Sequence, residues 1–138
     1  MTRVFWDTNL FIYLFEGGAF GPAVSRLRER MESRGDDLLT SALTLGEVQV
    51  LPLRASALEA QRAETAVSSV ATIIPFDEHA SRMYAAIRQD RSIKPPDAIQ
   101  LACAAAANVD LFITNDDRLS NRHVPGVKFI TSLERAFL

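Results

Sequence analysis

Five short apolar runs, separated by longer segments of helical spacing, leave few folds open to this chain. The runs are Arg3–Trp6, Asp37–Thr40, Ala71–Pro75, Leu111–Thr114 and Val127–Thr131. They are apolar nearly throughout rather than alternating, the pattern of strands buried on both faces. Leu10, Tyr13 and Leu14 mark a first helix, and Val24, Leu27 and Met31 a second. Helices over Leu43–Leu51 and Ser56–Val70 follow, with Pro52 predicted to break the chain between them. Asp77–Arg91 carries Ala80, Met83, Tyr84 and Ile87 on one face, whereas Pro96–Ala107 is apolar nearly all round, as a sandwiched helix is. Glu16–Pro22, with three glycines, reads as a turn. Short buried strands alternating with helices predict an α/β fold with right-handed crossovers. The expected architecture is a three-layer α/β/α sandwich around a parallel sheet of about five strands, with residues 1–138 forming a single domain.

Composition removes other classes. With 48% hydrophobic and 23% charged residues, the chain can bury a core and is not expected to be disordered. Cys103 is the only cysteine, so no disulfide framework exists within the chain. The opening stretch, MTRVFWDTNLFIYLFE, lacks a small-residue cleavage site, and Asp7 and Glu16 interrupt its apolar run. It predicts neither a signal peptide nor a spanning helix, and hence a soluble cytoplasmic protein without a membrane partner.

Sheets of this kind gather function at the carboxyl ends of their strands, and three carboxylates fall there. Asp7 directly follows the first strand, Asp116 follows Leu111–Thr114 with Asp117 beside it, and Asp97 opens the helix after Pro95 and Pro96. Each also suits ordinary helix capping, and Gln100 even gives Asp97 a capping-box partner. Glu47 is different: its neighbours at i−4, i+3 and i+4 are Leu43, Val50 and Leu51, which predicts a carboxylate turned toward apolar surroundings. Clustered carboxylates repel one another, and a hard divalent cation is their natural counterweight. Such a cluster around one or two Mg²⁺ or Mn²⁺ ions suits phosphodiester hydrolysis by a metal-activated water. The rest of the chain offers no competing chemistry. His79 and His123 read as solvated, Cys103 as core packing, and there is no phosphate-loop or dinucleotide fingerprint.

Four segments in order carry a resemblance that spans the chain. Asp7-Thr8-Asn9 before an apolar helix, Ser41 to Val48, Pro96 to Ala102, and Phe112 to Leu119 together resemble the motifs of the PIN-domain ribonucleases. Among these, the chain is similar to the short VapC-like toxins of prokaryotic toxin–antitoxin pairs. The resemblance implies an acidic metal site of Asp7, Glu47, Asp97 and Asp116, with Asp7 and Asp97 as direct ligands. It implies that Asn9 and Thr114 orient the carboxylates and waters, and that Asp117 can substitute for or assist Asp116. It further implies an RNA substrate, a homodimer, and a cognate antitoxin that covers the site.

The expected function is therefore a Mg²⁺- or Mn²⁺-dependent endoribonuclease, with Arg88, Arg91 and Arg118 as candidate contacts to the RNA backbone. One alternative is a catalytically silent scaffold of the same fold. Another is a receiver-like signalling domain, with Asp77 as phosphoacceptor and Lys128 as its basic partner. Net charge taken alone argues mildly against a nucleic-acid partner, because fifteen bases (thirteen of them Arg) face seventeen acids. Setting the four clustered acids aside leaves thirteen acids against fifteen bases, a balance of +2 for the remaining chain.

Overall fold

The computed structural model describes residues 2–120 and 122–136. Five strands form one sheet: β1 (Arg3–Trp6), β2 (Asp37–Ser41), β3 (Thr72–Ile74), β4 (Leu111–Thr114) and β5 (Phe129–Ser132). The helices are α1 (Thr8–Glu16), α2 (Gly21–Arg34), α3 (Ala42–Ala55), α4 (Ala57–Ser68), α5 (Glu78–Ile87) and α6 (Pro95–Ala106). Strand order is β3-β2-β1-β4-β5 and every neighbouring pair is parallel. The chain thus builds outward from β1 on one side, then returns to build on the other. That reversal leaves a crevice at the carboxyl ends of β1 and β4.

Alternation along the strands divides the core between two faces. Val4, Trp6, Leu38, Leu111 and Ile113 pack with α1, α2 and Val67 of α4. Phe5, Leu39, Phe112 and Ile130 pack with α5 and α6 on the opposite face. Phe5 and Phe112, paired in register across β1 and β4, stack with ring centroids 5.1 Å apart. The result is helices on both sides of a parallel sheet, as the strand pattern predicts. Helix α6 buries Ala98, Leu101, Ala102, Cys103, Ala104 and Ala105, small side chains that let it lie close to the sheet. Burial pushes the Cys103 thiol up to about 11, so it stays protonated in the core.

Element ends differ from the sequence reading by a few residues in several places, and three of the differences have a visible cause. Pro52 lies inside α3, and the break comes at Ser56, whose hydroxyl accepts the Glu59 backbone N–H at 3.1 Å. A proline in the last turn removes one backbone donor, while its own carbonyl still accepts from Ser56 N–H at 3.2 Å. Helix α5 ends at Ile87 rather than Arg91, because Asp90 turns the chain by accepting from both the backbone N–H and the hydroxyl of Ser92. Strand β5 begins at Phe129, because Val127 is buried in a turn bridged to Val124. Gly126 at that turn has φ +95°, and a Cβ there would meet the Ala105 backbone at 2.9 Å.

The topology removes the receiver-like alternative. That fold places its strands in the order 2-1-3-4-5, whereas here β1 lies between β2 and β4. Lys128 precedes β5 and pairs with Asp110 at 2.9 Å, at the amino edge of the sheet. Asp77 follows β3 at the carboxyl edge and caps α5. The two residues belong to opposite edges.

Candidate functional site

The four acids arrive from four distant segments and line one cleft of about 280 Å³, together with Thr8, Asn9 and Gln100. Asp7 leaves the end of β1 with its backbone N–H on the Ile113 carbonyl of β4, at 3.0 Å. It caps α1 as its sequence position allows, but through Oδ1, which accepts the Thr8 backbone N–H at 2.8 Å. Oδ2 accepts the Thr114 hydroxyl at 2.9 Å. The same Thr114 oxygen accepts the Asp116 backbone N–H at 3.0 Å, so one side chain ties two of the acids together. Asp116 lines the cleft, whereas Asp117 is exposed and is not part of its lining.

Asp97 lies in the first turn of α6, two residues beyond Pro95, and Lys94 occupies the cap without a side-chain bond. The capping box with Gln100 does not form, because the Gln100 amide turns inward and is 2% exposed. Glu47 corrects its own sequence argument. Val50 and Leu51 are 56% and 61% exposed, so the apolar stripe around Glu47 is not core. Glu47 is itself exposed and faces the cleft from α3, its Oε1 accepting the Thr8 hydroxyl at 2.6 Å.

Charge in the cleft is poorly compensated. Burial raises Asp7 to about 6 despite the hydrogen bonds from Thr114 and Thr8, and the charges of Asp97 and Glu47 add to the rise. Asp97 is also raised, by burial first and then by the charge of Asp116. Asp116 is the exception. Arg118 grips both of its oxygens, Nε to Oδ1 at 3.0 Å and Nη2 to Oδ2 at 2.6 Å, and holds its carboxyl below the usual range. Hard oxygen donors carrying unrelieved negative charge fit a divalent cation of the Mg²⁺ type. Among the described residues, no three acidic, His or Cys side chains converge to cage an ion unaided. An open arrangement of this kind suits Mg²⁺, which binds through one or two carboxylates and keeps its remaining positions for water and phosphate.

Beneath the cleft lies a buried polar network whose centre the sequence reading missed. Ser41 donates to the Gln100 carbonyl oxygen. The Gln100 amide donates to the Thr8 and Thr44 hydroxyls, both at 2.9 Å. Thr8 passes its hydrogen to Glu47. Thr40 donates to the Trp6 carbonyl at 2.9 Å, which has no hydrogen to return. The Thr44 hydroxyl, 2.7 Å from Thr40, therefore donates to it. Every hydrogen finds an acceptor in one consistent direction, and one branch ends on the Glu47 carboxylate. Gln100, the one polar residue of this Ala-rich helix beyond Asp97 in its first turn, is the available signal, since a buried amide requires partners.

The candidate RNA-contacting arginines are not gathered together. Arg118 is bound to Asp116, and Arg88 donates to the Ile93 carbonyl at 2.7 Å, closing the connection into α6. Arg91 stands exposed in that connection. Lys94, not singled out from the sequence, is the further cation whose charge reaches both Asp97 and Asp116. His79 and His123 are exposed, as expected.

A family model described as PIN domain matches residues 4–124. Comparison with curated protein sequences finds no match. Among solved structures, the chain is similar to one in a toxin–antitoxin complex from Klebsiella pneumoniae, with 27% identity and a TM-score of 0.68 over 90% of this chain and 94% of that one. It is also similar in fold to a chain of VapBC2 from Rickettsia felis bound to a promoter DNA fragment, with 16% identity and a TM-score of 0.71 over 94% and 98% of the two chains. A chain of DNA-bound VapBC from Salmonella typhimurium aligns with 21% identity and a TM-score of 0.68, over 96% and 99%.

Proposed function

The chain belongs to the PIN-domain family, and from that premise we propose that it is a metal-dependent endoribonuclease, the toxin of a toxin–antitoxin pair. The observation that carries this reading is the convergence of Asp7, Glu47, Asp97 and Asp116 on one cleft, with Asp7 lifted to about 6. Asp7 and Asp97 would hold one or two Mg²⁺ or Mn²⁺ ions, with Glu47 and Asp116 beside them. The bound metal would supply a water of lowered pKa and offset the charge of the scissile phosphate.

The chain's own residues prepare that chemistry. Thr114 and the Thr8 N–H fix both oxygens of Asp7, so this carboxylate need not reorganise when it takes up a ligand. The Thr8 hydroxyl fixes one oxygen of Glu47. Asn9, exposed at the rim, can place its amide on a water or a phosphate. Arg118 and Lys94, whose charges reach Asp97, would meet the backbone of single-stranded or looped RNA, while Arg91 lies farther along the α5–α6 connection.

A partner protein is supported by the relative from a toxin–antitoxin complex. It is supported also by Val50, Leu51, Leu53 and Leu58, all more than half exposed around the α3–α4 junction. We assign a cognate antitoxin and a second copy of the chain as the partners, and residues 1–138 as one domain working in the cytoplasm. Among the described residues, no helix is long and apolar enough to cross a membrane.

The deciding experiment incubates antitoxin-free protein with structured RNA and Mg²⁺ or Mn²⁺, then repeats the assay with chelator and with Asp97→Asn. Cleavage that requires metal and disappears in the variant is the expected result. Folded protein that binds RNA but never cuts it under any metal condition would overturn the activity and favour the silent scaffold.

A further inference from the structure

A second depression, of about 430 Å³, lies beside the acidic cleft and has the opposite charge character. It is lined by Arg26 and Arg30 of α2, by Phe20, and by Asn115, with Glu134 the acidic residue on its rim. Asn115 immediately precedes Asp116, so this groove and the cleft meet at adjacent residues. The Asn115 amide donates to the Tyr13 hydroxyl at 3.3 Å, and the Tyr13 ring packs against Phe20 with centroids 4.9 Å apart. Phe20 nevertheless keeps 44% of its surface exposed.

The arginines of α2 are not equivalent. Arg28 pairs with Glu32, and Arg34 pairs with Asp36. Among the described residues, Arg26 and Arg30 have no ion-pair partner, and both are exposed on one face, four residues apart. Side chains so spaced have Cβ atoms about 6 Å apart, a separation that lets two guanidinium groups take neighbouring phosphates of an extended strand. An exposed ring beside such a track is a platform on which a base can stack.

We propose that this groove carries the RNA strand flanking the scissile bond. Arg26 and Arg30 take successive backbone phosphates, and Phe20 stacks on a base. The proposal rests on the nuclease reading and assigns that activity a substrate path. Because its charged contacts are to phosphate, the groove adds affinity without choosing a sequence.

The test uses the non-cleaving Asp97→Asn protein and a fluorescein-labelled, mixed-sequence single-stranded RNA, with affinity measured across a salt series. Replacing both arginines (Arg26→Ala with Arg30→Ala) should lower the slope of log affinity against log salt by about 1.4, since each phosphate contact on a single strand contributes about 0.7. In the cleaving protein the same pair should raise KM roughly 10-fold and leave kcat unchanged. The control pair, Arg54→Ala with Arg82→Ala, removes two exposed arginines outside the groove and should leave the slope unchanged. An unchanged slope in the Arg26/Arg30 protein, with its thermal melt intact, would overturn the groove alone and point to a protein segment as its occupant. Failure of the parent protein both to bind and to cleave RNA would overturn the nuclease reading and the groove with it.

Discussion

The two edges of the sheet both carry aspartates, and two at one edge, Asp36 and Asp110, are treated in the opposite way to two at the other, Asp7 and Asp97. At the amino edge, Asp36 accepts the Thr2 backbone N–H at 3.0 Å and the Arg34 guanidinium at 2.8 Å. Asp110, at the same edge, accepts the Arg3 backbone N–H at 2.8 Å and pairs with Lys128 at 2.9 Å. Those contacts hold Asp110 below the ordinary carboxylate range. At the carboxyl edge, burial pushes Asp7 and Asp97 above it, with the charges of Asp97 and Glu47 adding to the rise at Asp7 and those of Asp116 and Glu47 to the rise at Asp97. A carboxylate supplied with a backbone donor and a cation fastens strands together. One buried among other acids keeps its charge available for something not yet bound.

The largest expected effect exchanges these roles. Asp97→Asn should lower RNA cleavage by roughly 10³-fold, equivalent to about 4 kcal/mol of lost transition-state stabilisation, with the fold intact. Asp110→Asn should leave cleavage near wild type and cost about 1 kcal/mol of stability in urea denaturation. Equal losses of activity in the two variants would erase the distinction between the edges.

Thr8→Val should weaken cleavage and Mn²⁺ affinity by about 10- to 100-fold, because it removes the hydrogen that fixes Glu47. Thr8→Ser keeps the hydroxyl and should restore most of both. If Thr8→Val matches wild type in Mn²⁺ titration, the buried network serves stability alone.

The smallest effect concerns pH without metal. The folded-state value of Asp7, about 6, lies above the ordinary 3.8. Its contribution therefore favours the fold below about pH 3.8 and is lost as pH rises through about 6. Chelated Asp7→Asn protein should accordingly be about 1 kcal/mol more stable than wild type at about pH 7.5, with the gain gone at about pH 4. Asp110 has the reverse sign: its contribution is present above its ordinary value and fades in acid. A gain for Asp7→Asn that persists in acid would place its cause in packing rather than charge.

Much of this contrast was legible from the chain, though unevenly. Strands β1 and β4 match their sequence bounds to the residue, because each holds an unbroken apolar run bounded by polar residues, Arg3 and Asp7 around one and Asp110 and Thr114 around the other. Strand β5 was displaced because Val127 is buried by a turn against α6, and a single apolar residue does not reveal which kind of backbone buries it. The acids were found because strand ends are predictable places. Glu47 was found for the wrong reason, since its apolar neighbours are left at the surface and its orientation is set by the meeting of α3 with Thr8. In sequence Gln100 suggests only a capping partner, because its true partners, Ser41, Thr8 and Thr44, come from 56 to 92 positions away. Arg28 has Glu32 four residues on and Arg34 has Asp36 two residues on, whereas Arg26 and Arg30 have arginines at i+4; what the sequence does not show is that those two line a groove.

The Thr114–Asp7 hydrogen bond joins residues 107 positions apart, and that separation orders events during synthesis. A nascent chain ending before Leu111 already contains Asp7, Glu47 and Asp97, but β1 then lacks β4, its neighbour on one side. Both oxygens of Asp7 are fixed only once β4 has been made and paired, and pairing at such long separation is slow to form. Under the proposed activity, a chain made only as far as α6 carries three of the four acids without the strand that fixes the first of them.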